Sequence, residues 1–240
     1  MKIIHTPDEN SPFLIVEKPA GIATAPLKEG DESILTQAIL KFPQIKNVHG
    51  RKEVEYGLVH RIDTETEGLV LIATTQKAFD FFIKIQKEGL FEKWYQAKFT
   101  KVQNISDFLE GFPPVSENTK TISSGSSFSI ESCFRSFGKN GCEVRPVTQN
   151  AGRAALKKAG QKIYRTEVFI ENEDTAVCHI KEGYRHQVRC HLSWAGLPIK
   201  GDCIYNPEAR SKNTKIKMEF RAFKISFPHP LTQTPLTFQM

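Results

Sequence analysis

Short apolar runs bounded by turn residues recur along the first part of the chain. Residues 13–16, FLIV, form a continuous apolar run that leads into the turn sequence EKPAG, which predicts a short buried strand. Apolar residues then recur at helical spacing after Ser33, a residue type that caps helices. We therefore expect a strand, a turn and a helix that ends near Phe42.

Two further apolar segments, residues 58–59 and 69–73, flank the charged sequence HRIDTETE. The second, LVLIA, predicts a buried strand, and Gly68 before it permits a sharp return of the chain. If the approach to this turn is extended, alternation puts Arg61 and Asp63 on the same side. The pattern thus predicts that these two side chains line one cleft.

The period of the apolar positions changes from helical to alternating between residues 74 and 100. Thr74 or Thr75 begins a predicted helix with its apolar residues on one face, and Gly89 suits the end of that helix. In the following sequence, EKWYQAKFT, Tyr95 and the alternate residues after it are apolar, so we expect a half-buried strand.

The second half of the chain predicts antiparallel strands and one helix. Residues 164–170 and 175–180 read as neighbouring strands joined by the turn sequence ENED, and RHQVRCHLSWAG reads as a helix that ends before Gly196. A last strand is expected at about 218–227, and residues 112–132, rich in Pro, Ser, Thr and Gly, read as a loop or insertion. Because short connections imply antiparallel pairing, the expected fold class is α+β, with a mixed, largely antiparallel central sheet and flanking helices.

Composition limits the class of protein. With 240 residues, 39% hydrophobic and 25% charged, the chain is expected to form one globular domain rather than a disordered one. The sequence has no signal peptide pattern and no run of the ~18 apolar residues that a membrane helix needs. The five cysteines lack metal-binding spacing, so we expect reduced thiols, no metal, and a cytoplasmic location.

The charge balance favours a polyanionic partner. Lys and Arg exceed Asp and Glu by 33 to 27, for a net charge of +6 and a pI near 9.0. Much of the excess lies between residues 181 and 224, which we take as the expected electrostatic footprint.

Asp63 is the strongest candidate for chemistry, although its local sequence leaves alternatives open. A carboxylate between apolar segments tends to be partly desolvated, so its reactivity depends on a cationic partner. However, Thr64 and Glu67 have the spacing of a capping box, and a helix cap or a surface ion pair would explain the same residues.

Four stretches, read together, decide between these interpretations. VEKPAGIATAP, GLVHRIDTETEGLVLIA, EKWYQAKF and EGYRHQVRCHLSWAGLPIKGDCIY occur in this order over about residues 13–205. Together they resemble the RluA-type family of pseudouridine synthases, whose motifs are a strand into NKPAG, an HRLDxxTSGLLL-like motif, a KxYxA-like strand, and GRTHQIRVHLxxxGxPIxGDxxY. Four ordered matches are far more specific than one HRID.

The resemblance implies three catalytic residues. Asp63 matches the family's catalytic aspartate, a proposed nucleophile, because a carboxylate can form and release a covalent adduct without a cofactor. Tyr95 matches the tyrosine thought to pack on the target base and to help remove the C5 proton, although a core aromatic residue has the same spacing. Arg189 matches the arginine expected to pair with Asp63 and to keep it ionised.

The resemblance also implies RNA contacts. Arg61 matches the arginine thought to occupy the space of the flipped base, and a phosphate contact is the alternative. The other expected RNA-binding residues are His60, Lys18, Arg185, His186 and Gln187. A polar cluster that holds loops explains His186 and Gln187 equally well, and a solvated charge explains Lys18.

Two departures from the family pattern concern RNA contacts. Thr66, Glu67 and Gly68 replace the usual TSG, so an acid stands in place of a small hydroxyl residue. Tyr184 and Arg185 replace the usual RT of GRTHQ, which displaces the arginine by one position. Either change is expected to alter RNA contacts or specificity without touching Asp63, Tyr95 or Arg189.

The resemblance implies an RNA pseudouridine synthase that flips a uridine of ribosomal or transfer RNA and isomerises it without cofactor or metal. We expect a single catalytic domain over residues 1–240, a monomer without an S4-like domain at its N-terminus, that binds RNA and no membrane. One rival is a glycoside hydrolase, since Asp63 with Glu65 or Glu67 offers paired carboxylates. Another is an RNA-binding protein that keeps the fold without catalysis.

Overall fold

The computed structural model describes residues 1–114, 122–212 and 216–240. The described strands are β1 Lys2–His5, β2 Phe13–Lys18, β3 Glu67–Ala73, β4 Glu92–Lys98, β5 Ser127–Phe137, β6 Glu143–Val147, β7 Tyr164–Ile170, β8 Thr175–Ile180, β9 Phe220–Pro228 and β10 Pro235–Gln239. The described helices are α1 Ile34–Lys41, α2 Gln76–Lys87, α3 Arg153–Lys158, α4 Gln187–Trp194 and α5 Pro207–Lys212. The chain divides into two compact units, Met1–Trp94 with Arg221–Met240, and Tyr95–Phe220.

The first unit combines an antiparallel sheet with one parallel pairing. β2 lies between β1 and β3 and is antiparallel to both, β3 pairs with β9 in parallel, and β10 returns antiparallel to β9. The core contains the buried rings of Phe13, Phe82 and Phe227, which meet edge to face at centroid distances of 5.3 to 5.7 Å. These pairs add to the apolar burial that holds α2 on the sheet.

Helix capping in the first unit agrees with the sequence. Ser33 caps α1 and forms a capping box with Thr36, and Thr75 caps α2 by accepting from the backbone N–H of Ala78. Gly89 follows α2 with a φ of 71°, which suits the left-handed conformation at a helix end. The predicted helices and the strands at FLIV and LVLIA are confirmed.

Gly68 is required by the parallel pairing of β3 with β9. Its φ is 140°, and a Cβ at this position would lie 2.3 Å from the carbonyl oxygen of Ala222. No side chain fits such an approach, so glycine lets the two backbones meet directly after the HRIDTETE segment.

In the second unit, β8, β7, β5 and β6 lie side by side in this order, and each is antiparallel to its neighbour. The strand pair at 164–180 and the helix at RHQVRCHLSWAG are confirmed, the latter as α4. The interpretation of residues 112–132 as a loop is wrong for residues 127–132, which begin β5, because their alternating small and apolar side chains pair along β7. The part at 115–121 lies outside the described residues.

Both units carry strand pairs and helices, so the predicted α+β class with mixed, largely antiparallel pairing is confirmed. The last strand predicted at 218–227 is confirmed as β9, and β10 was not expected. The assignment of residues 1–240 to one catalytic domain stays a prediction. Among the residues that the structure describes, none of the helices has the length and hydrophobicity to cross a lipid bilayer.

Candidate active site

Asp63 lies in an irregular segment between the bridge of Leu58 with Ile72 and the start of β3. The N–H of Thr66 donates to the Asp63 carbonyl at 3.0 Å, which closes a turn directly after the aspartate. Residues 60–63 form no strand ladder, so the predicted strand does not reach Asp63. Arg61 and Asp63 nevertheless flank the buried Ile62, and the cleft that they would share stays a prediction. No helix follows Thr64 either, because β3 begins at Glu67, and this excludes the capping-box interpretation.

The turn sequence EKPAG is hydrogen-bonded to the segment that contains Asp63. The Lys18 ammonium donates to the carbonyl oxygens of Pro19, Ile22 and Thr64 at 2.8 to 2.9 Å, and the N–H of Gly21 also donates to Thr64 O at 2.8 Å. A further hydrogen bond, from the Thr24 hydroxyl to the carbonyl of Ile62 at 2.6 Å, holds the residue before Asp63. The backbone on both sides of Asp63 is thereby fixed to one turn.

Lys18 is fully buried, which corrects both expectations for it. It is not a solvated charge, and a phosphate contact does not fit a side chain with no exposed surface. Burial lowers the pKa of Lys18 to about 8, against the raising effect of the negative charges of Asp63, Glu65 and Glu67. The buried ammonium of Lys18 is therefore a positive charge near the carboxylates of Asp63, Glu65 and Glu67, and it attracts them from inside the fold.

Arg61 is held by an acid that the sequence did not single out. Its Nη1 donates to Oε1 of Glu55 at 3.1 Å; the Glu55 side chain is 8% exposed and the Arg61 side chain 57%. The buried carboxylate therefore fixes one end of an exposed guanidinium, which is the exposure that RNA contact requires.

His60 is buried, and an RNA contact does not fit this position. Its Nε2 accepts from the N–H of Leu71 at 3.1 Å, and its ring meets Phe91 at a centroid distance of 5.1 Å. Burial, with smaller effects of Lys93 and Arg51, lowers the pKa of His60 to about 3, so the imidazole is neutral at physiological pH. We therefore assign His60 to the packing of the segment before Asp63.

Tyr95 belongs to the second unit and lies on β4. It is 7% exposed, and its ring stacks on Phe220 with centroids 5.2 Å apart and planes 12° apart. The predicted half-buried strand is confirmed, and the stacked ring has the fixed orientation that packing on a base would need. Its role on substrate stays a prediction.

Arg189 and Asp202 form a buried fork in the second unit. Nε and Nη2 of Arg189 donate to Oδ2 and Oδ1 of Asp202 at 2.7 and 2.8 Å, and Oδ1 also accepts from the N–H groups of Ile204 and Tyr205. Burial raises the pKa of Asp202, but Arg189 and the backbone donors outweigh it, and the pKa is lowered. A guanidinium has five N–H donors, so this fork does not exclude the predicted pairing with Asp63, which stays a prediction.

Gln187 and His186, at the start of α4, form hydrogen bonds with residues of the second unit. Gln187 is buried, accepts from the N–H of Tyr184 at 2.9 Å and donates to Arg165 O at 3.0 Å, so the interpretation as a loop-holding polar residue replaces the predicted RNA contact. His186, at φ 57°, contacts the Tyr205 hydroxyl through Nδ1 at 3.0 Å.

Arg185 is exposed and donates through Nη2 to the carbonyls of Gly141 and Glu143. The displaced arginine thus ties the segment before α4 to the first residue of β6 and to Gly141 just before that strand. RNA contacts by Arg185 and His186 stay predictions.

Glu67, the acid in place of a family serine, pairs with Arg221. Its Oε1 lies 2.7 Å from Nε and 2.6 Å from Nη2 of Arg221, the residue opposite it in the parallel pairing of β3 and β9. The departure therefore creates an ion pair at the beginning of β3, four residues after Asp63.

Sequence reasoning missed three positioning residues: Glu55, Thr24 and Asp202. Asp202 stands within the GDCIY motif, but its partner Arg189 is 13 residues away, and no spacing rule joins them. Glu55 and Thr24 had no signal, because the irregular backbone that brings them to Arg61 and Ile62 follows no period.

A fold of helices on a mixed, largely antiparallel sheet is the fold that the resemblance implies. A protein-family model described as RNA pseudouridylate synthase matches residues 12–194, three quarters of the chain. The chain belongs to the RNA pseudouridylate synthase family.

Several curated proteins are similar to the chain. "Ribosomal large subunit pseudouridine synthase D" is 23% identical over 238 residues in Zymomonas mobilis and 26% identical over 205 residues in Pseudomonas aeruginosa. An "Uncharacterized RNA pseudouridine synthase" of Bacillus subtilis is 25% identical over 234 residues. These matches cover 96%, 84% and 96% of this chain and 66%, 53% and 69% of the three relatives, so the chain spans half to two thirds of their length.

Two solved structures have the same fold. "Human RNA Pseudouridylate Synthase Domain Containing 1" matches with a TM-score of 0.66 and 16% identity, covering 100% of this chain and 82% of that one. "Human RNA Pseudouridylate Synthase Domain Containing 4" matches with a TM-score of 0.62 and 18% identity, covering 100% and 87%. At these identities the likeness concerns the fold alone.

Proposed function

We propose that the protein is an RNA pseudouridine synthase that isomerises a uridine of large-subunit ribosomal RNA. The observation that carries this proposal is the family match over residues 12–194, which includes Asp63, Tyr95 and Arg189. The names of the curated relatives favour ribosomal RNA over transfer RNA. The net charge of +6 suits a polyanionic substrate.

Asp63 is the proposed nucleophile of the reaction. The bond between N1 of uracil and C1′ of ribose breaks, the base turns, and a bond forms between C5 and C1′. C5 then loses its proton and N1 gains one, so no atom is added and no oxidant is required. A carboxylate can hold the detached fragment in a covalent adduct and release it again.

The surroundings of Asp63 support this role. Its backbone is fixed on both sides, by Lys18 at Thr64 and by Thr24 at Ile62, so the carboxylate enters the reaction without the cost of ordering a loop. Arg189, held in its fork by Asp202, is the proposed partner of the Asp63 charge.

The target base must leave its stack before Asp63 can act on it. Arg61 is proposed to take the place of the flipped base, since a planar guanidinium can stack and donate hydrogen bonds there. The ion pair with buried Glu55 supports this, because it aims an exposed side chain from a fixed point. Tyr95 is proposed to pack on the flipped base.

The hydrolase alternative has less support. A glycoside hydrolase needs a second carboxyl group that faces the leaving group. Glu67, one candidate for that group, is engaged with Arg221 at 2.6 and 2.7 Å instead.

The proposal is tested by mapping pseudouridine in total RNA from cells with and without the gene. We expect one or a few signals in large-subunit ribosomal RNA to disappear and to return with the wild-type gene but not with Asp63→Asn. Signals lost from transfer RNA instead would correct the substrate. An unchanged map, or full rescue by Asp63→Asn, would overturn the reaction or the role of Asp63 respectively.

A further inference from the structure

Helix α3 lies between β6 and β7, in a segment of the second unit that is rich in positive charge. Residues 144–166 contain six Lys and Arg residues and no Asp or Glu. Acids elsewhere in the unit neutralise three of the six: Glu143 contacts Arg145, Glu182 contacts Lys162, and Glu131 contacts Arg165. The other three, Arg153, Lys157 and Lys158, all belong to α3.

No carboxylate in the described part of the chain lies within ion-pair distance of these three cations. All three are exposed, and none of the six residues of α3 is buried. Arg153 and Lys157 are four residues apart and so share a face of the helix, with Lys158 beside them. The helix thus presents a compact, uncompensated positive surface.

The usual sources of helix stability do not account for α3. It has no buried apolar face, its N-cap Gly152 makes no side-chain cap, and a helix of six residues is marginal in isolation. Lys157 and Lys158 do interact favourably with the negative end of the helix dipole. Arg153, however, stands at the positive end, where a cation is unfavourable, so the dipole explains only part of the pattern.

We propose that the cationic surface of α3, formed by Arg153, Lys157 and Lys158, docks the phosphate backbone of the substrate RNA. This inference rests on the proposed function for the nature of the partner, and it adds a docking surface outside the basic segment at 181–224. Phosphates would supply the counter-charge that the fold itself does not provide. Contacts of this kind position RNA without reading its sequence.

The test compares two variants with the same loss of charge. The first replaces Arg153, Lys157 and Lys158 with Gln. The control replaces three exposed lysines of α2 with Gln, namely Lys77, Lys84 and Lys87. Thermal unfolding of both variants shows whether either change damages the fold.

Binding of ribosomal RNA purified from cells that lack the gene is measured over a range of salt concentrations. Each phosphate contact contributes about 0.7 to 0.9 to the slope of log K against log salt, so we expect the α3 variant to lose a slope of about 2. Its dissociation constant at moderate salt should rise by at least roughly tenfold, and that of the α2 control should change by less than about threefold.

Equal losses in the two variants would overturn the inference, because net charge alone would then explain binding. Unchanged RNA binding by the α3 variant would overturn it as well, as would α3-dependent binding to vesicles of acidic phospholipid without any effect on RNA. Binding is measured independently of isomerisation. A wild-type protein that binds RNA through α3 but forms no pseudouridine would therefore contradict the proposed function and leave the docking surface standing.

Discussion

Lys18 joins two motifs that lie more than 40 residues apart in the sequence. Its ammonium bonds the carbonyls of Pro19 and Ile22 in the turn and of Thr64 next to Asp63. A lysine at the end of a strand suggested a surface charge, and only the folded turn shows that three carbonyl oxygens converge on it. The residue contributes to the site by positioning the Asp63 segment.

Replacing Lys18 with Met should destabilise the protein by about 2 to 4 kcal/mol, because it leaves buried carbonyl oxygens without donors. The free energy of unfolding in urea measures this loss. Lys28→Met, at an exposed position, serves as the control and should be nearly neutral. Equal stability of the Lys18 variant and the wild type would show that the carbonyls find other donors.

His60 makes stability depend on pH. Its pKa is lowered from 6.5 to about 3 in the fold, so below pH 6.5 the unfolded chain binds a proton that the folded chain does not. The contribution of His60 to the free energy of unfolding is therefore fully present above pH 6.5. It is lost as the pH is lowered from 6.5 to about 3, with a slope that approaches about 1.4 kcal/mol per pH unit.

His60→Gln keeps an acceptor for the N–H of Leu71, but it removes the titrating imidazole. The variant should therefore lose the part of the pH dependence of stability that comes from His60. The measurement is the free energy of unfolding as a function of pH for the wild type, His60→Gln, and His49→Gln, whose histidine is exposed. A slope unchanged in the His60 variant would contradict the neutral, buried state of this imidazole.

At the scale of elements, the parallel pairing of β3 with β9 requires a glycine at position 68. Gly68→Ala would place a Cβ 2.3 Å from the Ala222 oxygen at a φ of 140°. We expect a loss of at least about 2 kcal/mol in the free energy of unfolding, from strain and from displaced backbone. Gly152→Ala is the control, since nothing lies within 4 Å of its added Cβ. Equal effects of the two substitutions would contradict this account of β3.

Elements with a clear period were predictable, and those without one were not. The amphipathic α2, the alternating β4 and the pair of β7 and β8 all follow from the spacing of their apolar residues. The composition of residues 127–132 predicts a loop, because Ser is typical of loops, whereas the pairing of β5 with β7 decides their conformation.

The candidate site is only partly predictable from the sequence. Motif resemblance identifies Asp63, Tyr95 and Arg189, but no sequence pattern predicts the burial of Lys18, His60 and Gln187. Their side chains bond backbone groups brought together by tertiary folding, and a sequence pattern carries no signal for such convergence. The same holds for Glu55 and Asp202, which position arginines from other segments.

For the whole molecule, family membership and charge point to the same partner. The family match covers residues 12–194, and the cations of α3 lie within that range as an exposed surface without counter-charge. Catalysis and docking are thus proposed for different parts of one chain. Substitutions of Asp63 should abolish chemistry while leaving RNA affinity nearly unchanged, since one carboxylate contributes no phosphate contact.

The most direct test of the central claim is pseudouridine formation by purified wild-type protein and Asp63→Asn on ribosomal RNA from cells that lack the gene. We expect the wild type to form pseudouridine at a defined uridine and the variant to be slower by roughly four orders of magnitude, with RNA binding retained. Asp63→Asn activity within about tenfold of the wild type would contradict the nucleophile assignment. No pseudouridine from wild-type protein that binds this RNA would contradict the proposed function.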